Sequence, residues 1–121
     1  MPLPAEFHLH REQDEEVSGF SMEEWVAAVA TTPGVRIIEG DATVPLPDGR
    51  RIKVGVSPGD AEVLIEGEWT ASFWRRSDGT VTFNAVPGIE SDDHATHRVA
   101  SELTRKLGAV IRDDDWELRE W

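Results

Sequence analysis

The chain has 121 residues, with 24 acidic and 12 basic side chains, a formal net charge of −12 and no cysteine. This length is typical of one domain, and we treat residues 1–121 as a single domain. The charge disfavours direct binding to nucleic acid or to an anionic membrane, and the lack of cysteine excludes disulfides, thiolate metal sites and a cysteine nucleophile.

The N-terminal residues, MPLPAEFHLHREQDEE, have neither the basic start nor the apolar run of a signal peptide. No stretch of the sequence approaches the ~18 apolar residues that span a bilayer. We therefore expect a cytoplasmic protein that has no contact with the membrane.

The first predicted strand is EFHLH, residues 6–10, where Phe7 and Leu9 alternate with His8 and His10. This period of two is typical of a half-buried strand, and it places the two histidines on one face. The residues that follow, REQDEEVSG, are polar and predict a loop.

The next segment, FSMEEWVAAVATTPG at 20–34, predicts a helix. Ser21 is a suitable N-cap, and Glu24 stands at the third helical position, which completes a capping box. Phe20 and Trp25 flank the cap as a hydrophobic staple. The sequence Pro-Gly at 33–34 ends the helix.

The middle of the chain is rich in predicted strands. VRIIEG at 35–40 and AEVLIEG at 61–67 are short β-branched runs, and 42–56 indicates a hairpin that turns at Asp48-Gly49. A clearer hairpin spans 68–85 and turns at Ser77-Asp78-Gly79.

Alternation along the first strand of the 68–85 hairpin predicts which side chains share a face. It places Trp69, Ala71 and Phe73 together on one face and directs Trp74 to the other face, away from the core.

A second helix is predicted over ESDDHATHRVASELTRKLG, residues 90–108, with Ser91 as its cap. Asp92 and Asp93 then lie in the first turn, where the helix dipole favours acids, and Gly108 is the expected residue after the last turn. Two short strands, AVI and WEL, surround RDDD near the end of the sequence.

The predicted order is roughly β-α-β-β-β-β-β-α-β-β. It favours an α+β fold with a single antiparallel or mixed sheet of about six to eight short strands. Both helices are expected to pack on one face of that sheet.

The four histidines form two pairs, His8 with His10 and His94 with His97. Such pairs can bind zinc or nickel. However, neither pair has an established metal-binding spacing, and the acidic runs lack the pattern of a calcium-binding loop. We therefore predict no metal site and no cofactor.

The sequence has no phosphate-binding, dinucleotide-binding or serine-hydrolase motif, so an enzyme is not predicted. An enzyme or a small-ligand domain with a pocket between sheet and helices stays an alternative. His8 or His10 lying beside His94 or His97 would favour it.

Half of the acidic residues fall into three short clusters, at 12–16, 90–93 and 113–120. Trp116 and Trp121 neighbour the densest cluster, and large aromatics beside charge are typical of protein interfaces. We expect Trp116 to be in the core and Trp121 to be exposed. The predicted partner contacts are Asp113, Asp114, Asp115, Glu117 and Trp121, with a wider acidic field from Asp92, Asp93, Glu12, Asp14, Glu15 and Glu16.

Three segments resemble a group of small bacterial α+β proteins of the immunity or accessory type, found near toxin or phage-defence loci. These segments are SMEEWVAAVATTPGVRI at 21–37, FWRRSDGTVTFNAVPG at 73–88 and ASELTRKLGAVIRDDDWEL at 100–118. They are helix caps, turns and helix stops. The sequence departs from the group at RDDDWE, where a turn containing glycine is expected. The resemblance implies no catalytic residue.

Charge and resemblance together predict a binding protein, either a monomer or a homodimer, whose partner is a basic protein such as a toxin or a nuclease. The first hypothesis is an immunity-type inhibitor that occludes a basic bacterial toxin. The alternative is a phage-encoded, anti-CRISPR-like inhibitor of a nucleic-acid-binding defence enzyme.

Overall fold

The fold is a large antiparallel sheet with both helices on one face. The structure is a computed structural model that describes residues 6–121, so the first five residues of the predicted domain lie outside it. Within the described residues there are two helices and ten strands: β1 (Glu6–Gln13), β2 (Glu16–Ser18), α1 (Met22–Ala30), β3 (Val35–Ile37), β4 (Ala42–Pro45), β5 (Arg51–Val54), β6 (Ala61–Ile65), β7 (Glu68–Arg75), β8 (Val81–Asn84), α2 (Ala95–Leu107), β9 (Val110–Arg112) and β10 (Leu118–Arg119).

The large sheet has eight strands in the order β10-β9-β1-β8-β7-β6-β3, with β2 paired to the end of β1. Every pairing is antiparallel, and β4 and β5 form a separate two-stranded sheet. The α+β class and the antiparallel sheet are therefore confirmed. The prediction of a single sheet is wrong because the 42–54 hairpin pairs only with itself.

The main core lies between the helices and one face of the large sheet, which we call the apolar face. Phe7, Phe83 and Phe73 occupy paired positions on β1, β8 and β7, so their side chains share that face. Trp25 of α1 and Leu103 of α2 belong to the same buried cluster. The prediction of both helices on one face is confirmed. Neither helix of the described residues is long and apolar enough to cross a membrane.

The cap of α1 is confirmed. The Ser21 hydroxyl accepts a hydrogen bond from the Glu24 amide at 3.1 Å, and the Glu24 carboxylate accepts one from the Ser21 amide at 3.2 Å. Phe20 and Trp25 stack with ring centroids 6.3 Å apart, as a hydrophobic staple requires. Together these contacts fix where the chain enters the helix.

The cap of α2 differs from the prediction. The helix begins one turn later than expected, and His94 is its N-cap, with Nδ1 accepting a hydrogen bond from the Thr96 amide at 3.1 Å. Ser91, Asp92 and Asp93 instead lie in the turns that precede it. The amide of His94 donates to the carbonyl of Ser91, which closes one of these turns before the helix starts.

The segment 11–19 was predicted as a loop, and this prediction is wrong. It continues β1 and turns at Asp14 and Glu15, which both have positive φ, into β2. All three residues of β2 are exposed. Because β2 has no buried face, it lacks the apolar alternation from which a strand is predicted.

A β-bulge in β7 changes the predicted faces of that strand. Ala61 pairs with Phe73 whereas Glu62 pairs with Ala71, so Ser72 is an extra residue. The bulge places Trp69 and Ala71 on the face opposite Phe73, which corrects the predicted grouping. Trp74 points away from the main core as predicted, and it packs with Ala71 and the β4–β5 hairpin in a second apolar cluster.

Candidate functional site

A polar stripe runs along β1 on the sheet face away from the helices, which we call the polar face. Glu6, His8, His10 and Glu12 alternate with core residues of the strand, so all four side chains lie on this face. The predicted shared face of His8 and His10 is confirmed. Across the sheet His8 pairs with Arg112 on β9, and Arg112 pairs in turn with Leu118 on β10.

The β9–β10 hairpin closes in a tight turn formed by residues 113–117, which we call the Trp116 turn. The Asp113 amide donates to the Glu117 carbonyl at 3.0 Å, and the Trp116 amide donates to the Asp113 carbonyl at 2.9 Å. This pattern is a type I turn followed by one residue in the left-handed conformation. That residue is Trp116, with φ of +64°.

Two other hairpins in the described part of the chain close with the same pair of backbone bonds, at 46–50 and at 76–80. Their left-handed residues are Gly49 and Gly79, with φ of +89° and +86°. This conformation is unfavourable by about 1–2 kcal/mol for a residue with a Cβ atom, whereas glycine adopts it freely. Trp116 therefore occupies a position where the fold itself favours glycine, in agreement with the departure noted at RDDDWE.

The Trp116 ring covers the two histidines of β1. It stacks on His10 with centroids 5.1 Å apart and planes 16° apart, and it packs at a tilt on His8 at 5.6 Å. His10 is only 1% exposed, whereas Trp116 itself is 47% exposed. One side of the indole therefore covers an imidazole, and much of the rest is available to a partner.

An ion pair fixes this arrangement. The Glu12 carboxylate accepts hydrogen bonds from Arg112 Nη2 and His10 Nε2, each at 2.9 Å. These bonds, that from Arg112 first and that from His10 second, lower the pKa of Glu12 to about 2. Arg112 Nη1 also donates to the Trp116 carbonyl at 2.7 Å, so the pair holds the turn against β1.

Asp113 is an interior residue of the turn and not a surface contact as predicted. It is 2% exposed, and its Oδ1 accepts from the amides of Asp115 and Glu117 at 2.9 and 3.0 Å. Its Oδ2 accepts from Arg119 at 3.0 Å. The bond from the Glu117 amide, and then that from Arg119, lower the pKa of Asp113. The carboxylate thus serves the turn itself.

The two tryptophans near the end of the chain exchange their predicted roles. Trp116 was expected in the core and is half exposed. Trp121 was expected at the surface, but it packs on Phe7 at 4.9 Å and on Phe83 at 5.7 Å, and it stacks on His97 at 4.2 Å. Trp116 itself has the left-handed conformation, which turns its ring over β1 in a way that alternation along a straight strand does not anticipate.

The predicted acidic residues gather only in part. Arg112 links Glu12 to the Trp116 turn, and Arg119 links Glu90 to Asp113. Asp115 and Glu117 are exposed on the turn. Asp92 and Asp93 are exposed before α2, and Asp14, Glu15 and Glu16 are exposed at the β1–β2 turn.

Asp114 and the β1–β2 turn lie at opposite ends of β1. Asp114 approaches Glu6 at the start of β1, where the Glu6 amide donates to its Oδ2 at 3.3 Å. Asp14 follows the other end of the same strand. At ~3.4 Å per residue, Glu6 and Asp14 are about 27 Å apart along the strand direction. Glu12 of the 12–16 cluster reaches the Trp116 turn through Arg112, whereas Asp14 and Glu15 lie in the β1–β2 turn beyond it.

A group of possible metal ligands lies beside the Trp116 turn. One side-chain ligand atom each from Glu6, His8 and Asp114 lies within 4.8 Å of the other two. The predicted histidine pairs do not converge, because His8 and His10 lie on the polar face while His97 belongs to α2 on the opposite face. His97 Nδ1 is 2.8 Å from the Ile89 carbonyl oxygen.

An open groove of about 790 Å³ runs beside α2, between that helix, residues 32–34 and residues 120–121. His97 lines it, together with side chains of both charges such as Arg98, Asp92 and Glu120. Because His97 is held by a backbone carbonyl and by the Trp121 ring, its evident role is packing. The polar face of β1 is the stronger candidate site.

Sequence reasoning missed the residues Glu6, Arg112 and Trp116 of this site. Two signals pointed toward Glu6 and Trp116, and none pointed toward Arg112. Alternation along β1 implied a polar face that Glu6 would share with the histidines, and RDDDWE lacked the glycine that the turn favours.

Comparison of the chain with protein-family models, with curated proteins and with solved structures finds no match.

Proposed function

We propose that this chain is an acidic binding protein that acts in the cytoplasm as an immunity-type inhibitor of a basic bacterial toxin. Its contact surface is the Trp116 surface, which consists of Trp116, Leu118, Asp115 and Glu117. The observation that carries the proposal is Trp116 itself, a half-exposed tryptophan in a left-handed backbone position.

The energetics of Trp116 favour a role in contact. The same turn elsewhere in the chain has glycine in this position, so the geometry of the turn does not itself require a large side chain here. Tryptophan is enriched among the residues that dominate protein interfaces. Leu118 is 49% exposed on the same face and extends the apolar centre. A patch of this kind, with charge around it, matches the anatomy of an interface.

The charge around Trp116 favours a basic partner. Residues 113–120 contain five acids and one arginine, and the whole chain has a net charge of −12. Arg119 neutralises Asp113 and Glu90, but Asp115 and Glu117 have no ion-pair partner within residues 6–121. Exposed acids beside an apolar centre attract a basic protein during encounter and place it over the ring.

This proposal narrows the predicted contact set. Asp113 and Trp121 are omitted because they support the turn and the core. Asp14, Glu15 and Glu16 follow the other end of β1 and are kept as part of the long-range field.

The test is protection against a toxin whose gene neighbours the gene for this chain. The toxin is expressed in a sensitive bacterium together with the wild-type chain, with Trp116→Ala or with Asp115→Lys/Glu117→Lys. The matched control is Asp14→Lys/Glu16→Lys, which makes the same change of charge at the far end of β1. We expect the wild type and the control to protect the cells and both site variants to fail to protect them. Far-UV circular dichroism verifies that each variant folds.

Rates of association with the purified toxin sharpen the test. The Asp115/Glu117 reversal should slow association by about tenfold at low salt, because steering depends on local charge. Trp116→Ala should mainly speed dissociation. Equal effects of the site reversal and the control reversal would contradict the assignment of the surface. Competition by DNA for the bound partner would favour the phage-encoded inhibitor of a nucleic-acid-binding enzyme.

A further inference from the structure

We propose that Glu6, His8 and Asp114 form a binding site for a divalent transition-metal ion, for which Zn²⁺ is the natural probe. Their ligand atoms lie within 4.8 Å of one another. At ligand distances of ~2.0–2.2 Å, two atoms on one zinc ion are ~3.4 Å apart in a tetrahedral site. One of the three pairs, His8 Nε2 and Asp114 Oδ1, is 3.7 Å apart, close to that value.

The backbone holds these ligands in place. Glu6 and His8 are two residues apart on β1, which is paired with β8 on one side and β9 on the other, so both project from a central strand onto the polar face. Asp114 comes from the Trp116 turn. Its Oδ1 is 3.7 Å from His8 Nε2, and its Oδ2 accepts the Glu6 amide at 3.3 Å. The three groups are thus positioned before any ion binds.

The surroundings leave the site accessible. The side chains of His8, Glu6 and Asp114 are 23%, 34% and 35% exposed, so an ion can enter from solvent. Among the described residues, Arg76 Nη2 lies 3.5 Å from Glu6 Oε1, and a metal ion would compete with this cation. Because the Arg76 side chain is 55% exposed, it can swing into solvent.

The ligand chemistry selects the class of ion. One imidazole with two carboxylates suits Zn²⁺ and related first-row ions, whereas Mg²⁺ and Ca²⁺ prefer oxygen ligands alone. Three protein ligands leave a coordination position open for water or another donor. His10 is not a ligand in this proposal, since its Nε2 is bonded to Glu12 at 2.9 Å.

The test is calorimetric titration of the untagged full chain with ZnCl₂ near neutral pH in a buffer that does not bind metal. We expect one equivalent to bind with micromolar affinity. His8→Gln and Asp114→Asn should each weaken binding at least about tenfold, the scale of losses at metal sites. The matched controls are His94→Gln and Asp93→Asn, which remove the same chemical groups from outside the cluster and should bind as the wild type does.

Substitution with Co²⁺ provides a second readout, because its visible absorption reports coordination by protein ligands. Circular dichroism is to verify that His8→Gln folds. Asp114→Asn tests the site while keeping the His8 ring that packs on Trp116. Wild-type affinity in either cluster variant, equal weakening in the controls, or lack of a saturable equivalent would overturn the proposal. The titration uses no partner protein, so its failure leaves the Trp116 surface untouched.

Discussion

Replacing Trp116 by glycine or by alanine isolates the energetic cost of its left-handed backbone. Both changes remove the indole ring, but only alanine keeps a Cβ atom at φ of +64°. We expect the glycine variant to be the more stable of the two by about 1 kcal/mol. The usual order is the reverse, since glycine in regular structure is about 0.5–1 kcal/mol less stable than alanine.

The loss relative to the wild type follows from the burial of the ring. Trp116 is 47% exposed, so about half of a side-chain surface of roughly 250 Å² is buried. At ~25 cal/mol per Å² this burial contributes at most about 3 kcal/mol. We therefore expect a loss of about 2–3 kcal/mol in Trp116→Ala and about 1–2 kcal/mol in Trp116→Gly, where relief of the backbone offsets part of it.

Urea unfolding at neutral pH, followed by far-UV circular dichroism, measures these differences. The control is Gly49→Ala in the equivalent turn, where an added Cβ meets nothing within 4 Å. This control should lose about 1 kcal/mol from the left-handed conformation alone. If it does so while Trp116→Ala is as stable as Trp116→Gly, Trp116 is not held in the left-handed conformation and the reasoning fails.

Three further predictions concern the elements around the site. Ser21→Ala removes the cap of α1 and should cost about 1 kcal/mol by thermal unfolding, and an unchanged midpoint would count against the capping box. The pKa of Glu12 is lowered from 4.5 to about 2, so its stabilisation is complete above pH 4.5 and is lost as the pH falls towards 2. Unfolding measured across that range should depend less on pH in Glu12→Gln, and an unchanged slope would contradict the ion pair with Arg112. Trp121→Ala should lose about 2–3 kcal/mol in urea, since the ring packs on Phe7 and His97. A loss below about 0.5 kcal/mol, which is typical of surface substitutions, would contradict the packing of Trp121 in the core.

Local sequence patterns predicted the features whose signals lie within a few residues of one another. The capping box at Ser21 and Glu24, the turns at Gly49 and Gly79 and the left-handed Gly108 are all where the patterns placed them. Their energies come from backbone conformation and from hydrogen bonds between near neighbours. A short stretch of residues is therefore enough to predict them.

Features that depend on partner strands were not predictable in this way. The bulge at Ser72 follows from how β7 pairs with β6, and it moves Trp69 and Ala71 to the other face. The β4–β5 hairpin is a separate sheet because of where it packs. The register of neighbouring strands decides such outcomes, and no local pattern encodes it.

The site belongs to the tertiary structure. Glu6 and Asp114 are 108 positions apart in sequence, yet the pairing of β1 with β9 brings them together. The alternation of β1 determined that His8 faces away from the core, but only the sheet order placed the Trp116 turn over it. Two residues separated by this length of chain meet only because many cooperative backbone and core contacts fix the strands between them.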